Sequence, residues 1–190
     1  MTFQNNYNAK VEIMTERLYI RSYEESDFQE CIDLYGNEKI TKYFDHGMPR
    51  STNEVRELIN EKVINCARPY GLFSIFQRSD GSFIGQIDLI PTEDRGVLEI
   101  GYIIHEIYHG HGFCTEAAKG VMFNFVNTNK YRVVPCLESN IKKFIATVHP
   151  ENIASQRVLQ KVGMTFEKSQ ERFGHPRLWY SMNASRILDS

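Results

Sequence analysis

Residues 99–120 read EIGYIIHEIYHGHGFCTEAAKG, and the fold of the chain turns on them. The stretch opens with an apolar run rich in Ile and Tyr, the composition of a buried strand. It passes through His109-Gly110-His111-Gly112 and enters a segment with helical spacing. Cys114, Ala117, Ala118, Val121, Met122 and Phe125 fall at i, i+3, i+4, i+7, i+8 and i+11, one continuous apolar stripe. Strand, glycine-rich turn and helix together suit an anion. Glycine permits φ > 0 and keeps a Cβ out of the path of a ligand approaching the amides. The first amides of a helix lack internal partners, and the helix dipole adds positive potential there. A pyrophosphate is the natural guest.

Two named nucleotide motifs do not apply. A P-loop ends in Gly-Lys-Ser/Thr, which is absent here, and Thr115 stands where the dinucleotide fingerprint needs its third glycine. The turn therefore points to a pyrophosphate ligand of a third kind.

Working outward, 190 residues suffice for one domain with a sizeable core. Hydrophobic residues at 42% and charged residues at 24% are ordinary for a globular protein. A net charge of -2 gives no reason to expect nucleic acid or an anionic membrane as a partner. Cys31, Cys66, Cys114 and Cys136 lie far apart with no CxxC pairing, so reduced thiols in a cytoplasmic protein are expected. The first ten residues lack the apolar core of a signal peptide, and no apolar run approaches the roughly 20 residues of a membrane span.

Residues 1–13 are polar and Asn-rich, which predicts a flexible leader before a single domain over 14–184 and a tail over 185–190. Leu18 and Ile20 alternate as a first strand. Ser26 with Gln29 reads as a capping box for a helix ending at Gly36, and Ser51 with Glu54 as a second, with Val55, Leu58, Ile59 and Val63 on its apolar face. Residues 70–77 and 83–90 form a hairpin about Ser79-Asp80-Gly81, and residues 91–96 lead into the strand quoted above. Residues 133–140 read as an inserted connection. Residues 143–149 are a strand, 152–162 a helix closed by Gly163, and 164–168 with 177–182 a closing hairpin.

That order, together with TERLYIRSYEESDF, HGHGFCTEAAKG and TVHPENIASQRVLQKVGMTFE, resembles the GCN5-related N-acetyltransferase (GNAT) family. The likeness covers about residues 15–182 and is nearest to the branch of ribosomal-protein N-terminal acetyltransferases. It implies an α+β fold: a mixed, twisted sheet of about seven strands, splayed in the middle and flanked by about four helices. It also implies acetyl-CoA as co-substrate, an amine acceptor such as a protein N-terminus or a small amine, no metal, and a chain compatible with a homodimer. The backbone amides of His109, Gly110, His111, Gly112, Phe113, Cys114 and Thr115 would cradle the CoA pyrophosphate. Ile103 and Ile104 would pair with the pantetheine arm through main-chain bonds. Asn152 would contact the cofactor, and Ser155 would lie near its sulfur.

This chain departs from the family pattern in three places. Ile107 stands where Gln or Arg is common, Leu159 stands where many members carry a Tyr that protonates the thiolate, and the 133–140 insert has no counterpart. A thiol with a pKa near 8.5 is a tolerable leaving group, so a hydrogen bond from Ser155 to sulfur could replace the Tyr. A non-catalytic acyl-CoA binder is the alternative that Leu159 raises. On the amine side, an α-amine with a pKa near 8 needs only a modest base, whereas lysine near 10.4 costs roughly 3 kcal/mol more to deprotonate. Glu99 is the candidate base, with Asp88 and Glu116 as alternatives. Tyr43 and Phe44 are candidate acceptor contacts. The spacing of His105, His109 and His111 permits a zinc reading, but two of them fall in the phosphate turn.

Overall fold

The structure is a computed structural model describing residues 10–64, 70–127 and 141–188. Its eight-stranded sheet comprises β1 (Glu12–Met14), β2 (Leu18–Ser22), β3 (Gly71–Gln77), β4 (Phe83–Pro91), β5 (Val97–Ile104), β6 (Lys143–Val148), β7 (Thr165–Arg172) and β8 (His175–Asn183). The spatial order is β1-β2-β3-β4-β5-β6-β8-β7, and only β5 and β6 run parallel. Helices α1 (Phe28–Tyr35), α2 (Glu38–Thr41) and α3 (Thr52–Ile64) precede β3. α4 (Phe113–Asn127) lies between β5 and β6, α5 (Ile153–Lys161) follows β6, and α6 (Ser185–Leu188) follows β8.

The α+β class is as expected, with one more strand than the sequence predicts. Residues read as part of a flexible leader include Val11 and the first two residues of β1; Val11 and Ile13 are buried, and Ile13 pairs with Ile20. A three-residue strand offers too little alternation to be recognised. The closing hairpin is also longer than expected, because β7 is almost wholly exposed and carries no apolar period. Its turn is Phe173-Gly174, both at positive φ, the conformation that matches the right-handed twist of the flanking strands. The predicted tail forms α6. The 133–140 insert, Cys66 and Cys136 lie outside the described residues.

Helix starts follow local chemistry, with one correction. Ser51 and Glu54 form the predicted box: the Ser51 amide donates to Glu54 Oε2 at 2.8 Å, and the Glu54 amide donates to Ser51 Oγ at 3.4 Å. At the first helix the box is not Ser26–Gln29. The Glu24 amide donates to Asp27 Oδ2 at 3.0 Å, opening a 3-10 turn that leads into α1. Asp27 is recruited because its buried carboxylate also receives Arg21 through two bonds of 2.6 and 2.7 Å and the Ser74 hydroxyl at 2.7 Å.

β3 and β4 are buried along most of their length, so they read as continuous apolar runs rather than alternating ones. One core cluster packs α4 and α5 against one face of the sheet, centred on Phe125, Phe144 and Val121. A second packs α1 and α3 against the other face, centred on Tyr35, Leu34, Ile59 and Leu72. β5 and β6 pair only from Val97 to Glu99 against Lys143 to Ile145. Beyond Glu99 the two strands share no further registered pair, and the sheet opens there.

Candidate active site

The opening is where the chemistry-bearing residues converge. Side chains alternate along β5, so Glu99, Gly101 and Ile103 face the α1–α3 side while Tyr102 faces the α4–α5 side. A ligand edge-on to β5 is thereby within reach of both faces.

On the α4–α5 side the turn after β5 has the conformation expected of it. Gly110 and Gly112 have φ of 80° and 81°. A Cβ built at Gly110 would meet nothing within 4 Å, so the space above the backbone is open to a ligand. α4 begins at Phe113 and directs its first amides toward that space. The histidine rings do not converge. His109 Nε2 donates to the Ile104 carbonyl at 2.9 Å, His111 stacks on Phe113, and His105 meets the edge of Phe83. His109 thus contributes its ring as well as its amide, tying the turn to the end of β5. It engages the Ile104 carbonyl. The bond from the His105 amide to the Ile84 carbonyl at 3.0 Å sets the alternation of the β4–β5 ladder, so Ile103 is paired with Gln86 and, of the two predicted pantetheine contacts, Ile104 keeps its amide turned toward the opening.

A clamp that no local pattern reveals holds this turn. Arg17, just before β2, donates from Nη1 to the His111 carbonyl at 3.0 Å and from Nε to Glu116 Oε2 at 2.7 Å, with its guanidinium 4.5 Å above the Phe113 ring. The Arg17 amide and the Thr15 hydroxyl donate to Glu116 Oε1 at 2.8 and 2.6 Å. Burial opposes the Glu116 charge, but these bonds outweigh it and hold the carboxyl below its ordinary range. Glu116 is therefore committed to fixing the turn and does not reach the acceptor side.

Asn152 and Ser155 stand at the start of α5. The Asn152 side-chain oxygen caps the helix by accepting from the Ser155 amide at 3.0 Å. Ser155 Oγ lies 2.9 Å from the Tyr102 hydroxyl, which is also 3.2 Å from the Ser155 carbonyl. Burial pushes the Tyr102 pKa well above the ordinary tyrosine value, so it remains a protonated donor. Leu159 is fully buried in the core. A tyrosine hydroxyl therefore reaches Ser155 from β5. The contact joins residues 53 positions apart, and only the alternation of β5 could have hinted at it.

On the α1–α3 side, Glu99 accepts from Arg172 Nη1 at 2.5 Å and from the Thr147 hydroxyl at 3.4 Å. Asp88, across from Gly101, forms an ion pair with Lys62 of α3. A Cβ at Gly101 would lie 2.5 Å from Asp88 Oδ1, so glycine is needed for that carboxylate to lie over β5. Burial opposes the Lys62 charge, yet Asp88 and Tyr35 hold its pKa above the ordinary lysine value. Tyr43 stacks on His149 at the end of β6, with ring centroids 5.1 Å apart. Phe44 turns inward instead and packs on Tyr35 and beneath Lys62. Tyr43 is thus the one of the two predicted acceptor contacts that spans the opening. Arg177 binds the hairpin to this wall, donating to the Tyr43 carbonyl at 2.8 Å and to the Asp45 carbonyl.

A family model for the acetyltransferase (GNAT) domain matches residues 17–165. The chain belongs to the GNAT acetyltransferase family. It is accordingly an acetyl-CoA-dependent transferase. YnaD, an N-acetyltransferase of Bacillus subtilis strain 168, is 28% identical over 156 residues, covering 82% of this chain and 83% of YnaD. RimL, a ribosomal L7/L12 α-N-protein acetyltransferase solved with coenzyme A, superimposes with a TM-score of 0.74 at 19% identity, over 91% of this chain and 98% of RimL. Spermidine N-acetyltransferase from Vibrio cholerae, solved with CoA and spermine, gives 0.71 at 19% identity, over 92% and 99% of the two chains. No helix among the described residues is long and apolar enough to cross a membrane.

Proposed function

We propose that this GNAT transferase moves the acetyl group of acetyl-CoA directly to a primary amine, and that the amine is a protein or peptide N-terminal α-amine. The observation that carries the proposal is the placement of two functional pairs on opposite faces of β5 where the sheet opens. Tyr102 and Ser155 lie on one face, and Glu99 and Arg172 on the other. Acetyl-CoA supplies an activated thioester carbonyl. The residues suited to hold it are the amides from His109 to Thr115 and the main chain of Ile104, with Asn152 at the start of α5.

The reaction forms a C–N bond and breaks a C–S bond, so it needs a neutral amine and a stabilised thiolate. Glu99 takes the amine proton, through a water where the reach requires one. The Tyr102 hydroxyl, which donates to the Ser155 carbonyl at 3.2 Å, also lies 2.9 Å from Ser155 Oγ, and turning its proton to that oxygen frees the serine proton to hydrogen-bond the departing sulfur. Serine then need not act as a full proton donor, a task for which its acidity is too low. An α-amine fits this machinery better than a lysine side chain, because the lower amine pKa asks less of the base. Fold likeness does not choose the acceptor, since RimL and spermidine N-acetyltransferase share the fold equally.

The test is thiol release from acetyl-CoA with a panel of peptides, lysine side-chain analogues and small amines, each blanked without acceptor to subtract the protein's own cysteines. Faster turnover of α-amino peptides is expected. Equal or faster turnover of lysine side-chain amines would contradict the acceptor assignment.

A further inference from the structure

The acceptor wall carries a cation that the transfer chemistry leaves unused. Arg177 is 4% exposed, yet among the described residues no carboxylate forms a salt bridge with it. Two carbonyls, those of Tyr43 and Asp45, receive its terminal nitrogens, and its Nε has no partner. The neighbouring carboxylates are engaged elsewhere: Asp45 with Arg50 at 2.7 Å, Glu99 with Arg172 and Asp88 with Lys62. Two residues along β8, Trp179 pairs with Thr147, whose hydroxyl touches Glu99, and the buried Trp179 Nε1 is also without a partner. Burying a guanidinium without a counter-ion, beside a second unsatisfied donor, is costly unless a ligand completes the set.

We propose that Arg177 and Trp179 form a carboxylate subsite beside the acceptor amine, so that the preferred acceptor is an amine bearing an anionic oxygen group close to its nitrogen. The unsatisfied groups here are donors, which a carboxylate accepts and a polyamine cannot. Asp45, Asp88 and Glu99 each already hold a basic partner, so they offer little to a second or third ammonium on the acceptor. The carboxylate could belong to an acidic residue near a peptide N-terminus or to a free amino acid. This inference rests on the acetyl-transfer reading above.

The test compares KM values of the full-length chain, at saturating acetyl-CoA, for a peptide with Asp at its second position, the matched Asn peptide, free glutamate and spermidine. At least one carboxylate acceptor is expected to show a KM about tenfold below that of the Asn peptide, the range of a charge-assisted bond. The peptide and amino-acid arms then identify the source of the carboxylate. In Trp179→Phe, which keeps the ring and loses the N–H, that preference should shrink by about threefold or more. Arg177→Gln should abolish it, and circular dichroism would report any loss of folding. Equal KM for the Asp and Asn peptides together with no preference for glutamate, or a preference for spermidine, would overturn the subsite. So would binding of acetyl-CoA with no turnover of any acceptor. Calorimetry with acetyl-CoA alone separates the two readings, since failure there would remove the transferase reading itself.

Discussion

The turn we propose for the cofactor and the wall we propose for the acceptor lie on opposite faces of one strand and are built from different materials. The turn depends on main-chain amides, two glycines at positive φ and a clamp from Arg17 that touches the backbone of His111. The wall depends on side chains brought from five separated parts of the chain: Tyr43, Lys62, Glu99, Thr147 and the β7–β8 hairpin. Backbone recognition accepts one constant ligand and tolerates much sequence change around it. Side-chain recognition can be rewritten residue by residue, which suits the half of the site that sets the acceptor.

Substitutions should therefore separate the two halves, beginning with the largest effect. Lys62→Met leaves the Asp88 carboxylate buried without its partner and should cost about 3–5 kcal/mol of stability. Its thermal midpoint should fall by about 10 °C in a melting scan, and coenzyme A should still raise the midpoint of the variant. Glu99→Gln should reduce kcat by about 100-fold while calorimetry finds unchanged acetyl-CoA affinity. An unchanged kcat would remove Glu99 from the chemistry and leave it a structural ion pair with Arg172. Gly110→Val acts on the other half. The open space above Gly110 accommodates the side chain, but a β-branched residue at φ 80° is strained, and the substituent points into the cradle. Coenzyme A affinity should weaken by about tenfold or more in calorimetry, with little change in the ratio of rates for different acceptors.

The smallest effect is a pH dependence. The folded-state pKa of Glu116 is depressed, so its contribution to stability is present above the ordinary glutamate pKa of about 4.3 and is lost as the pH falls through the lower folded value. Urea midpoints measured below pH 4.3 should therefore fall less steeply for Glu116→Gln than for the parent chain.

The same division explains what could be read in the sequence. The strand–turn–helix at 99–120 and the Ser51–Glu54 box are local, so spacing alone reveals them. Spacing points to Ser26–Gln29 as the first capping box, whereas Asp27 is chosen by Arg21 and Ser74, partners that spacing within the helix cannot show. β1 is too short to show a period, and β7 has no buried face to impose one. Ser155 follows from family resemblance and Glu99 from its place in the strand leading to the turn, but their partners Tyr102 and Arg172 lie far away in the chain. Tyr43 and Phe44 are equivalent candidates in the sequence, and only the packing around Tyr35 and His149 distinguishes them.

The most direct measurement is a crystal structure of the full-length chain with coenzyme A. The account predicts diphosphate oxygens within hydrogen-bond distance of the amides between His109 and Thr115, with the sulfur beside Ser155 Oγ. A diphosphate bound elsewhere, or a turn packed shut against α4 with no room for it, would contradict the account.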